Sequence, residues 1–160
     1  MAANANTSLI PIVEAVDNFQ PSALTNQYVP FYLSSLDNSP SGIIGQIAPE
    51  VMKAILALPS NFDAFSLTLA EPTSVVTGVY FQSSLNTAEA RSNALTEICL
   101  YWRENGIFAD SIGGKQWRNE LYTIYTHPFK NIGVNGDIAF SLERSACELF
   151  GLVTYVLSLS

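Results

Sequence analysis

The chain has 160 residues, with seven Lys or Arg against fourteen Asp or Glu, a net charge of −7 and a pI near 4.5. That length suits one domain with a sizeable core, and the acidic balance argues against nucleic acid or an anionic membrane surface as a partner. Only 13% of residues are charged while 48% are apolar, which excludes a disordered chain and points to more apolar surface than a minimal core needs.

Ser8 as an N-cap, Pro11 in the first turn and Val13 with Val16 on one face predict a short opening helix. Residues 28–33 are aromatic and β-branched but contain Pro30, which predicts an edge strand or extended segment. Pro40, Gly42 and Gly45 make residues 34–45 a predicted loop. Pro49 opens a helix whose Val51, Met52, Ile55 and Leu56 share a face and which Pro59 stops. Residues 65–70 and 75–82 read as strands around a Glu71-Pro72-Thr73-Ser74 turn.

The clearest helix follows. Asn86 and Glu89 have capping-box spacing, Ala94, Leu95, Ile98, Tyr101 and Trp102 share a face, and Asn105-Gly106 supplies a left-handed stop. Gly113-Gly114 breaks the chain before Trp117. Residues 121–126 and 138–142 predict a strand hairpin, joined by a polar loop with Pro128 and Asn135-Gly136 that is expected to be mobile and to border a pocket. A helical turn at 145–150 and a β-rich run at 152–159 close the order. The sum predicts an α+β fold: one domain over residues 1–160, with a mixed, largely antiparallel sheet and three to four helices.

The same sequence narrows the chemistry. It contains no apolar run of about eighteen residues, so no transmembrane helix is expected. Glu14 and Asp17 with no early Lys or Arg are unlike a signal peptide, and the Asn6-Thr7-Ser8 sequon is discounted on that ground. Cys99 and Cys147 read as packed thiols in a reducing compartment, so the expected location is the cytoplasm. The single histidine, His127, precedes Pro128 in the polar loop and is a poor zinc ligand or triad member. Neither a G-x-S-x-G elbow nor a Gly-rich phosphate loop occurs. No metal or cofactor is expected, and folding should need neither these nor a disulfide.

Two polar clusters interrupt the apolar, strand-like last third: Trp117-Arg118-Asn119-Glu120-Leu121-Tyr122 and Ser141-Leu142-Glu143-Arg144. Arg118 and Arg144 either make buried ion pairs that tie this region together, or line a pocket with guanidinium donors aimed at a ligand's oxygens. Both readings can hold together.

These segments also carry a resemblance. Ala88-Glu89-Ala90-Arg91, Gln116 to Tyr122, Phe140 to Ala146, Phe150-Gly151 and Thr154-Tyr155 together resemble the domain that precedes the Nudix domain in fungal and plant Nudix hydrolases related to thiamine pyrophosphokinase. Residues 42–58 fit the same domain more weakly, so the resemblance spans most of the chain. The metal-holding Nudix box has no counterpart here, and Glu143-Arg144 with Glu148 and Gly151 echo it only at the wrong spacing. The resemblance therefore implies a standalone relative without diphosphate hydrolysis. It is also similar to norbornene-forming Diels–Alderases of fungal terpenoid pathways, which implies secondary metabolism.

Three functional classes follow: a metal- and cofactor-free cyclase, a non-catalytic small-molecule-binding module, and an interaction protein. The first is favoured, as an intramolecular [4+2] cycloaddition on an apolar, carbonyl-bearing terpenoid, because such a closure needs no nucleophile or metal. Arg118, Tyr122 and Arg144 are the expected catalytic donors. Trp117, Glu120, Phe140, Trp102, Tyr80, Tyr125 and Tyr155 are the expected substrate-binding residues, and for each aromatic among them simple core packing is the commoner reading. The expected partner is the apolar substrate alone, with no nucleic acid, membrane or obligate protein partner.

Overall fold

Alternation of apolar side chains builds two sheets. Strands β1 (Val29–Tyr32), β2 (Ile43–Ile47), β3 (Phe65–Ala70) and β4 (Val75–Phe81) lie in the order β2-β1-β4-β3, antiparallel except for the parallel β1–β4 pair. Strands β5 (Leu121–Tyr125) and β6 (Ile138–Glu143) form a separate antiparallel pair. Among the described residues three α-helices accompany the sheets: α1 (Pro49–Leu56), α2 (Ala88–Glu104) and the short α3 (Ala109–Ile112). The predicted α+β class, with its mixed and largely antiparallel sheet, is the fold of this protein. The structure, a computed structural model, describes residues 27–34, 42–126 and 138–152. The predicted opening helix, the 127–137 loop with His127, and the closing run beyond Leu152 lie outside the described residues. No helix among those described is long and apolar enough to cross a membrane.

The aromatic residues make the core. Phe31, Phe65, Val79 and Phe81 pair across β1, β3 and β4 and so share a face, with Phe31 centred 5.1 Å from Phe81 and 5.8 Å from Phe65. From α2, Leu95, Ile98, Cys99 and Trp102 are buried, and Trp102 stacks on Phe150 at 5.8 Å. Phe140 on β6 meets Phe81 at 5.5 Å, joining the hairpin to the large sheet. The Ser92 hydroxyl ties the remaining seam: it donates to the Ala88 carbonyl (2.7 Å) and accepts from the Ser141 amide (2.8 Å).

The local chemistry of α2 largely follows its sequence, with one correction. Its N-cap is Thr87, whose hydroxyl accepts from the Ala90 amide at 3.1 Å, rather than Asn86 in a capping box. At the other end Gly106 (φ +69°) donates to Arg103 and Ile107 donates to Trp102, the paired bonds of a Schellman stop.

Three other expectations are corrected. Pro30 sits in an interior strand, because β1 pairs with β2 from Val29 onward but with β4 only at Phe31 and Tyr32, past the proline. The predicted 34–45 loop runs into strand β2, where Gly45 fits because a Cβ there would strike the Phe150 carbonyl oxygen. Helix α3 lies where the sequence showed only the approach to the Gly113-Gly114 break; its four residues are too few to display a helical period.

Candidate functional site

The two polar clusters come together at one end of the β5–β6 hairpin, as their pairing Leu121↔Glu143 and Tyr122↔Leu142 requires. The organising group is Glu143, only 3% exposed. Its carboxylate accepts from the backbone amides of Arg118 (3.0 Å) and Glu120 (3.1 Å) and from the Ser145 hydroxyl (3.3 Å). Between those amides Asn119 adopts φ +56°, which turns the N–H groups on either side of it toward the same carboxylate. The Asn119 side chain also accepts from the Trp117 indole N–H at 3.0 Å.

The arginines stay outside this arrangement. Arg144 bridges to Glu120 at 3.2 Å, both side chains exposed by more than a third, and its guanidinium lies over the Tyr122 ring at 5.1 Å. Hydrogen bonding to Glu120, and that residue's charge, hold Arg144 above its ordinary range. Arg118 is exposed and contributes its backbone amide to Glu143; its guanidinium has no ion-pair partner among the described residues. Arg103 instead reaches the Trp117 ring, at 5.4 Å. The region is held together by a carboxylate on backbone amides, in place of the buried arginine pairs the sequence suggested.

The other expected binding residues are dispersed. Trp102 and Phe140 are fully buried in the core, and the Trp102 indole N–H has no acceptor among the described residues. Tyr80 is buried on the opposite face of the sheet, stacked on Tyr32 at 5.0 Å, while Tyr125 is half-buried at the end of β5. Tyr155 lies outside the described residues.

A cavity of about 410 Å³ opens elsewhere, where β1 and β4 end side by side and the chain enters α2. It is lined by Leu33, Phe81 and Leu85, by Ser34, Ser66, Gln82, Ser83 and Asn86, and by Arg91. The carboxyl ends of adjacent parallel strands leave a crevice of this kind, and its size falls in the ligand-pocket range of roughly 300–1,000 Å³. Gln82 braces the wall by donating to Asp63 (2.9 Å) and to the Phe65 carbonyl (3.1 Å).

Arg91 is the chemically distinctive group here. Its Nε donates to the Leu85 carbonyl (3.0 Å) and one terminal nitrogen to the Ala139 carbonyl (2.6 Å), with the guanidinium 5.9 Å above the Phe81 ring. Burial alone pushes its pKa down, and among the described residues no carboxylate pairs with it. None of the described residues singled out from the polar clusters and aromatics lines this cavity. The available signal was Arg91 itself: a cation on the sheet-facing side of a helix, in a chain with only seven.

Both cysteines are packed thiols, as expected. Burial, then the charge of Glu143, pushes Cys147 up to about 12, and burial raises Cys99 further still. No cluster of three His, Cys, Asp or Glu side chains able to hold a metal occurs among the described residues.

With this geometry in view, the family relationship is simply stated. Residues 11–154 match the family described as a domain of unknown function (DUF4743), and the chain belongs to that family. No curated protein matches the sequence.

Proposed function

We propose that the protein folds an apolar, carbonyl-bearing substrate inside the cavity beside Arg91 and accelerates its intramolecular cyclisation, a [4+2] cycloaddition, with no covalent intermediate. The cavity is the observation that carries this reading: about 410 Å³, with apolar walls from Leu33, Phe81 and Leu85 and a braced guanidinium at one side. A pericyclic closure makes and breaks bonds within one molecule. It asks the protein for a shape that holds the near-attack conformer and for donors that polarise a carbonyl. Arg91 supplies the donor, and Ser66, Ser83 and Asn86 supply further polar contacts. The high thiol pKa values support a route without a cysteine nucleophile. A terpenoid substrate, a place in fungal secondary metabolism and the kinship with the domain preceding Nudix domains belong to this proposal and rest on the sequence resemblance.

The test incubates linear terpenoid aldehydes and enones bearing a diene with and without protein, and follows both rate and product isomer ratio. Acceleration that is lost when Ser83→Trp fills the cavity supports the reading. Equal rates and equal isomer ratios for every precursor would reduce the cavity to a binding site.

A further inference from the structure

We propose that the natural ligand of this cavity carries a single carboxylate, and that Arg91 anchors it. The inference rests on the cavity reading above and narrows its substrate class. The lining holds one cation and, among the described residues, no acid, although the whole chain has twice as many acids as bases. A guanidinium has five N–H donors, and the Leu85 and Ala139 carbonyls occupy only two of them. Those two bonds come from different segments and fix the plane of the group; of the three donors that remain, two suit a carboxylate and one is left for the reacting carbonyl. Phe81 beneath the guanidinium keeps one side apolar. A partly buried cation that faces a cavity with no counter-charge among the described residues is completed by a monoanion, and such a ligand leaves no surplus negative charge unpaired. A diphosphate head brings two or more charges and needs more than this one cation, so the site departs from a diphosphate-binding pocket.

Three probes with one isoprenoid tail separate the possibilities: farnesoic acid, methyl farnesoate and farnesyl diphosphate, each measured by equilibrium dialysis against the full chain. The acid should bind tighter than the ester by on the order of tenfold to a hundredfold, and the diphosphate no tighter than the ester. Arg91→Met should erase the acid–ester difference while keeping ester binding. If that variant fails to fold, the acid–ester comparison on the unsubstituted protein decides alone. Equal binding of acid and ester, or tightest binding of the diphosphate, overturns the carboxylate assignment and leaves the cavity reading standing. If none of the three binds, or if Ser83→Trp leaves their binding unchanged, the cavity reading falls and this inference with it.

Discussion

A buried carboxylate with no cation on it among the described residues is the residue on which the hairpin end depends. Glu143 accepts from two backbone amides and one hydroxyl, at 3.0, 3.1 and 3.3 Å. Hydrogen bonds to a charged group are worth roughly 1.5–3 kcal/mol each, and the deserted amides would also lose their partner. Glu143→Ala should therefore cost about 4–5 kcal/mol, lowering the melting temperature by roughly 8–20 °C for a domain of this size. Glu143→Gln, which keeps one acceptor oxygen, should cost about half as much; a loss within error for both would mean the 117–120 turn stands without it. Next to it, Cys147 carries a pH signature. Its thiol moves from 9.0 to about 12 on folding, so the folded state prefers the neutral form. Stability from this group is complete below about pH 9 and is lost as pH rises toward about 12. Urea titrations at pH 8 and pH 10.5 should show a larger loss for the parent than for Cys147→Ala. Equal losses would remove Cys147 as the source.

At the level of elements, the docking of the last turn on β2 depends on two glycines facing each other. A Cβ on Gly45 would strike the Phe150 carbonyl, and one on Gly151 (φ +58°) would strike the Gln46 backbone, which donates to Gly151 at 3.3 Å. Backbone against backbone leaves no flexible side chain to yield, so Gly45→Ala should cost about 1–3 kcal/mol, and Gly151→Ala as much again with left-handed strain added. Thermal melts of the two variants check this; a neutral Gly45→Ala would mean that β2 can shift. The same position shows where sequence reading stops. A glycine beside Gly42 and Pro40 has the signature of a loop, and only the partner segment, more than a hundred residues on, makes it a strand residue. By contrast, the β3–β4 hairpin, the main run of α2 and its Asn105-Gly106 stop were legible because turn chemistry and helical period are local. The β5–β6 pairing was legible for the same reason, since two strand-like runs with a polar connection have few alternatives.

Across the whole molecule, an aromatic share of 11% could line a cavity or fill a core, and composition cannot separate the two. Trp102 and Phe140 went to the core because α2 and β6 must each bury a face, leaving the cavity one aromatic wall, Phe81, among mostly polar residues at the strand ends. The sequence drew attention to arginines beside aromatic residues at the hairpin end; the cavity instead takes Arg91, whose braces at Leu85 and Ala139 form only on folding. The two locations make opposite forecasts for the cycloaddition. If the cavity carries the reaction, Arg91→Met should slow it by on the order of tenfold to a thousandfold, the range for losing an oxyanion-type donor. It should not remove the reaction, because closure within a shaped cavity still gains from orientation. Arg118→Ala and Tyr122→Phe should have distinctly smaller effects, since their side chains lie at the exposed end of the hairpin and outside the cavity lining. The comparison is made on rate and isomer ratio together, with melting temperatures confirming that each variant is folded. A larger loss for Arg118→Ala or Tyr122→Phe than for Arg91→Met would return the chemistry to the hairpin end, and with it the arginine–tyrosine pair as the group that meets the substrate.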